Sequence, residues 1–291
     1  MLRKLRIPAL AVVFSALALA PLSGNPTGMP SLPAFLGFSG KLRAIFALPD
    51  ENLVKDLAAV VPDKPGVYSL AGSLPAFERL SLIVLKPFTA KVDGRIGKYR
   101  LGYWPAEKRA PENPRYANPK GFIEVTPENF ATRVSEHFTL GEFVTHDQQN
   151  VWPKYVVLDQ RLLDKLELTI AELQDRGHGV GGLHIMSGFR TPQYNDVGVG
   201  AGGRSAVSRH QYGDAADVYP DDDRDGRIDD LNRDGRVDLK DARIVVSAAD
   251  AVERKNPELS GGIGLYPATS AHGPMVHIDA RGKRARWTYG G

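Results

Sequence analysis

Val156, Leu158, Leu162, Leu163, Leu166, Ile170 and Leu173 recur at helical spacing over about five turns, and Gly177 follows where a C-terminal cap is expected. A stripe of that length must bury its apolar side against another layer, and this constrains everything around it. Downstream the texture becomes β. Residues 181–190 read as a strand running into a turn, and Asp217-Val218-Tyr219 and Met275–Asp279 read as short strands. A helix followed by strands predicts an α+β domain over residues 121–291, with a small antiparallel sheet and flanking helices.

With 291 residues the chain has room for a second folded unit. Gly66-Val67-Tyr68-Ser69-Leu70, Leu82-Ile83-Val84-Leu85 and Tyr99-Arg100-Leu101-Gly102-Tyr103 are short apolar or alternating runs. Asp93-Gly94 between them signals a hairpin turn. Residues 41–104 are therefore expected to form a small β-rich domain that opens with a helix over 53–61. Residues 105–120 carry Pro105, Pro111, Pro114 and Pro119 among charges and read as a linker. At the N-terminus, Arg3, Lys4 and Arg6 precede an apolar run, the order of a secretory signal over residues 1–24, with a Pro/Gly/Ser-rich tether over 25–40. The run is shorter than the roughly 20 apolar residues of a membrane anchor, so export is expected.

Composition narrows the chemistry. Hydrophobic residues at 42% and charged residues at 24% match a globular protein, with no integral membrane partner implied. A net charge of +3 is too mild to indicate nucleic acid. There are no cysteines and seven histidines, which excludes disulfides, thiolate ligands and a Cys nucleophile. Any transition-metal site must use His and carboxylates. The candidate set lies in Ser208-Arg-His210-Gln-Tyr-Gly-Asp-Ala-Ala-Asp217 and Val276-His277-Ile278-Asp279. Two imidazoles and one carboxylate suit Zn²⁺ with a fourth position open. Period-two alternation places Met275, His277 and Asp279 on one strand face, where a neighbouring strand could bring Asp217. Spacing alone does not separate this arrangement from scattered polar residues on a sheet edge.

Three blocks go further. Ser187-Gly188-Phe189-Arg190-Thr191-Pro192-Gln193-Tyr194-Asn195, Ser208-x-His210-x-x-Gly213-x-Ala215-x-Asp217, and His277-x-Asp279 followed by Arg286-Trp287 resemble the zinc D-Ala-D-Ala metallopeptidases. Their relatives include the murein endopeptidases grouped with lysostaphin and the Hedgehog signalling domain. The likeness spans roughly residues 137–287, and Glu136-His-Phe-Thr-Leu-Gly-Glu-Phe143 is similar to the segment that opens this domain in many members. It implies that His210, Asp217 and His277 ligate zinc and that Arg190, in the block opened by Ser187, binds the substrate carboxylate or carbonyl. It further implies hydrolysis of peptidoglycan stem peptides or crosslinks by an exported, wall-associated protein. Many members place an acidic general base two or three residues before the last zinc histidine, where this chain has Pro274 and Met275. Asp279 and His272 are the nearest substitutes, and Asp279 is alternatively a group that orients an imidazole. A zinc-containing, non-catalytic wall-binding module is the rival reading. No His follows Asp279, which counts against a non-haem iron oxygenase, and no Gly-x-Ser-x-Gly elbow supports a serine hydrolase.

A second metal pattern lies between Asp217 and the last strand. One loop offers Asp221, Asp223, Asp225, Asp229 and Asn232 around Gly226 and Ile228. Nine residues on, Asp230, Asn232, Asp234, Asp238 and Asp241 repeat it around Gly235 and Val237. Oxygen ligands at positions 1, 3, 5 and 9 with Gly at 6 and an apolar residue at 8 follow the calcium-loop rule. The pair resembles the loops of dockerins and thrombospondin type 3 repeats. It implies a structural Ca²⁺ insertion over 221–241, and position 12 is Asn or Asp rather than Glu, so affinity belongs at the weak, extracellular end of the range.

Overall fold

The computed structural model describes residues 43–47, 64–69, 80–200, 204–270 and 272–289. The signal segment, the tether and the helix expected over 53–61 lie outside them. Gly40–Gly291 forms one compact unit. No described helix is long and apolar enough to cross a membrane.

The first part is β-rich, as expected. β1 (Arg43–Ala47), β2 (Gly66–Ser69) and β3 (Leu80–Val84) form a three-stranded sheet in the order β1-β3-β2, with β1 parallel to β3. β4 (Lys86–Pro87) leads to the short hairpin of β5 (Arg95–Ile96) and β6 (Tyr99–Arg100). Asp93 and Gly94 both have positive φ, 49° and 71°, and they join the paired residues Val92 and Arg95. This is the backbone a two-residue hairpin turn requires.

Residues 105–120 do not separate two cores. α1 (Pro105–Lys108) and a 3₁₀ turn at Pro114–Tyr116 occupy this stretch. β7 (Gly121–Val125) then pairs back onto β4 and forward onto β8 (Lys154–Val156). Tyr99, Leu101 and Trp104 share one core with Phe122, Phe138 and Leu166. The Trp104 indole is fully buried and donates to the Gln211 carbonyl at 2.8 Å, so the β-rich segment is built into the larger unit.

α2 (Gln160–Asp175) is the helix read from the apolar stripe, but it starts later than the stripe: Val156 belongs to β8 and Leu158 precedes the Asp159 cap. Asp159 caps its start by accepting from Arg161 N at 2.8 Å. At its end His178 N donates to the Leu173 carbonyl at 3.1 Å across Gly177, whose φ is +84°. Leu162, Leu163, Leu166, Ile170 and Leu173 are fully buried, so truncating one to Ala is expected to cost about 2–5 kcal/mol.

β9 (His184–Ser187), the short α3 (Pro192–Val197), β10 (Ala215–Tyr219), α4 (Leu239–Lys255), β11 (Gly262–Tyr266), β12 (Met275–Asp279) and β13 (Ala285–Thr288) complete the chain. Their five-stranded sheet runs β13-β11-β12-β10-β9. It is antiparallel except at one edge, where β13 lies parallel to β11, so the sheet is mixed rather than purely antiparallel. Ala216, Val218, Ile263, Leu265, Val276 and Ile278 are all buried at alternate positions on the central strands. α4 packs on β11 and β12, and α2 packs on α4. The other face of the sheet is left for the side chains of Asp217 and His277.

Candidate metal centre

The strand register draws one line across all five strands. Trp287 lies opposite Gly264, Gly264 opposite His277, His277 opposite Asp217, and Asp217 opposite Ser187. Residues directly opposite share a face, so the row places a carboxylate, an imidazole and an indole side by side. A Cβ at Gly264 would overlap the Trp287 indole, and its absence lets that ring lie 5.2 Å from the His277 ring.

His210 reaches the row from outside the sheet. It sits on a 3₁₀ turn, Arg209–Tyr212, that ends at Gly213 with φ +69°, where any Cβ would overlap the Val157 carbonyl. Arg190 N donates to the His210 carbonyl at 3.1 Å, tying this turn to the Ser-Gly-Phe-Arg block. The sequence spacing Ser208-x-His210-x-x-Gly213 is the spacing this tight turn needs.

Three atoms converge. Asp217 Oδ1 lies 2.9 Å from His277 Nδ1 and 3.3 Å from His210 Nε2, and the two ring nitrogens are 3.2 Å apart. His210, Asp217 and His277 are buried and could hold a metal ion. Each imidazole is fixed from behind: His210 Nδ1 lies 2.7 Å from the Gly188 carbonyl, and His277 Nε2 lies 3.0 Å from Asp279 Oδ2. With the outer nitrogens engaged, the inner ones face the carboxylate, the arrangement that metal-binding imidazoles adopt. The donor set therefore fits a divalent transition metal.

Electrostatics at His210 and Asp217 agree with that fit. Burial pushes His210 down to about 4, so the ring is neutral and able to ligate near neutral pH. Burial alone would raise Asp217, but His210, His277 and Arg190 together hold it well below the usual carboxylate range. For His277, the hydrogen bonds that its ring gives to the Asp217 and Asp279 carboxylates outweigh burial and raise its pKa.

The remaining expected residues fall into three places. Ser187 and Arg190 join the centre: Arg190 Nε donates to Ser187 Oγ at 2.9 Å, and its Nη2 donates to Asp217 Oδ2. Asp279 is fully buried behind His277. It accepts from Gly262 N at 2.8 Å and from the Arg281 guanidinium, so it faces the far ring nitrogen and is placed to orient the imidazole. His272 is not brought in, since its Nδ1 lies 2.7 Å from the Gly273 carbonyl and no contact joins it to the three converging residues. Sequence reasoning passed over the Gly261-Gly262-Ile263-Gly264 run, whose small residues make room for Asp279 and Trp287. It also passed over His146. Thr145 Oγ1 donates to the Phe189 carbonyl at 3.1 Å and accepts from Thr191 N at 3.2 Å, which fixes the backbone that carries the exposed His146. Burial of part of its ring and the Arg190 charge lower its pKa.

The acidic insertion repeats its geometry as well as its sequence. Arg224 and Arg233 have φ 61° and 58°, and Gly226 and Gly235 have φ 82° and 79°. In the first loop Gly226 N donates to Asp221, Asp225 N to Asp223 and Arg227 N to Asp225. In the second, Gly235 N donates to Asp230, Asp234 N to Asn232 and Arg236 N to Asp234. Carboxylate oxygens of Asp221, Asp223 and Asp225 lie within 4.8 Å of one another. The outer positions have other partners. Asp229 accepts from Asp222 N, Asp238 caps α4 by accepting from Lys240 N, and Asp241 accepts from Leu231 N and Asp238 N. The apolar position 8 is buried in the first loop, at Ile228, and 45% exposed in the second, at Val237. The first loop thus matches the expected pattern more fully than the second.

No family model, curated protein or solved structure matches the chain.

Proposed function

We propose that this chain is an exported, zinc-dependent peptidase that hydrolyses peptidoglycan stem peptides or crosslinks. One observation carries the reading: a buried carboxylate and two imidazoles converge on one point, and the outer nitrogen of each ring is already engaged. His210, Asp217 and His277 are the residues that would hold the zinc. When bound, zinc acts as a Lewis acid on an amide carbonyl and makes an attacking water more acidic.

The protein's own side chains supply the rest. Arg190 uses Nε and Nη2 within the site, which leaves Nη1 to donate to a substrate carbonyl or carboxylate. Trp287 and Tyr266, joined by a 3.0 Å hydrogen bond from the indole, wall one side of the row. Asp279 is enclosed behind His277 and orients that ring, which leaves His146, whose charge state is coupled to Arg190, as the candidate proton acceptor. Calcium at Asp221, Asp223 and Asp225 belongs to the same proposal as a structural ion.

The rival is a zinc-holding, non-catalytic wall module, which the absence of a carboxylate at Pro274 and Met275 favours. Purified muropeptides incubated with the zinc-loaded protein and analysed by mass spectrometry separate the two. Cleavage products that vanish in His146→Ala while zinc is retained support the peptidase and its assigned base. Binding of the peptides without any cleavage supports the module.

A further inference from the structure

Away from the metal row, a cavity of about 270 Å³ is lined by eight residues, among them Arg115, Tyr116, Arg209, Arg281, Lys283 and Arg284. Five of the eight are cationic. Three have carboxylate partners: Arg209 pairs with Asp214, Arg281 with Asp279, and the exposed Arg284 with Asp250, which Arg286 shares. Arg115 and Lys283 are exposed and have no carboxylate partner among the described residues, so the cavity mouth carries about two uncompensated positive charges.

The local backbone keeps that charge accessible. Gly282 has φ +76°, and a Cβ there would come within 2.9 Å of the Arg115 guanidinium. The positive φ is what favours glycine here, and the bare backbone lets the Arg115 fork lie over the turn. Arg209 forms the floor: it is 5% exposed, its Nη1 donates to the Arg115 carbonyl at 2.8 Å, and its guanidinium stacks 4.9 Å from the Tyr116 ring. The floor is thereby fixed before any ligand arrives, which lowers part of the ordering cost of binding.

We propose that this cavity binds a phosphoryl group. Cations approach it from the 113–116 segment, from the turn that carries Arg209 and from the 281–284 turn. An anion with several oxygens around one centre answers such a spread better than a planar carboxylate, which one guanidinium fork already satisfies. Two unpaired cations also match the charge of a phosphate dianion or of two neighbouring phosphodiesters.

Calorimetric titration of the full-length protein with inorganic phosphate, with a poly(glycerol phosphate) and with polyglutamate tests the assignment without any activity measurement, so it stands or falls separately from the peptidase reading. The wild-type protein should bind at least one phosphoryl probe, with affinity falling as salt rises. Binding of free phosphate alone identifies a small-molecule site, and tighter binding of the polymer identifies a phosphodiester chain as the source. Arg115→Gln with Lys283→Gln should weaken that binding by about tenfold or more. Arg115→Gln alone should weaken it less, and neither variant breaks an internal ion pair, so melting should be unchanged. Failure of both phosphoryl probes to bind at millimolar concentration, equal affinity in the double variant, or equally tight polyglutamate binding overturns the proposal.

Discussion

The carboxylate of Asp279 lies 3.0 Å from Nε2 of His277, on the opposite side of the ring from Asp217. Asp279 is in turn held by Arg281 and Gly262 N. Loss of such a supporting group typically weakens metal affinity by about 10- to 100-fold. Asp279→Asn is expected to do so with little change in fold, measured by zinc competition against a chromophoric chelator. Unchanged affinity would show that His277 is oriented without it.

Arg190 is bound to Asp217, and under the proposed function its remaining amine also holds substrate. Arg190→Ala is therefore expected to lower kcat/KM by roughly 10² or more, as loss of an oxyanion donor does, and to weaken zinc as well. Arg190→Lys should restore the charge but not the two-pronged contact to Ser187 and Asp217. A variant with full zinc affinity and normal kinetics would return Arg190 to a turn-forming role.

Lys165 is fully buried on α2 and donates to Glu253 Oε1 at 2.5 Å and to the Asp279 carbonyl at 2.6 Å. Glu253 also accepts from Gly261 N at 2.9 Å. One ion pair thus ties both long helices to the strand that carries His277. Lys165→Met leaves Glu253 buried with one fewer cation, and the cost is expected to be about 3 kcal/mol or more in chemical denaturation. A loss below about 1 kcal/mol would show that Arg286 alone neutralises Glu253.

The acidic insertion touches the strand that carries Asp217. Asp222 accepts from Gly181 N at 2.9 Å, and Tyr219 donates to the Gly226 carbonyl at 3.2 Å. A calcium ion that binds only the folded loop at a hundredfold excess over its Kd adds about 2.7 kcal/mol of stability. Millimolar calcium should therefore raise Tm at fixed zinc, and Asp225→Ala with Asp234→Ala should erase that rise. An unchanged wild-type Tm would make the insertion a solvated loop.

The helix over 160–175, the hairpin at Asp93-Gly94 and strands β10 and β12 were legible because each rests on local chemistry: an apolar period, a turn dipeptide or alternation. The site's row was half legible. Alternation put His277 and Asp279 on one face, yet the pairing of Asp217 with His277 depends on register, which sequence spacing does not contain. α4 escaped notice because its buried face is built largely from Ala242, Ala248, Ala249 and Ala251, which make a weak apolar stripe. The break assumed at 105–120 followed from its prolines, whereas Trp104 and Phe122 on either side of it pack together in a shared core, their ring centroids 5.7 Å apart.

Zinc content and turnover, measured together on one preparation, test the central claim most directly. The protein is stripped with a chelator, titrated with zinc and assayed on purified muropeptides, alongside His210→Ala, Asp217→Ala and His277→Ala. The account predicts that peptide cleavage rises linearly to one zinc per chain, and that each variant loses both tight zinc binding and cleavage. Cleavage that survives complete zinc removal, or full zinc binding in all three variants, would contradict it.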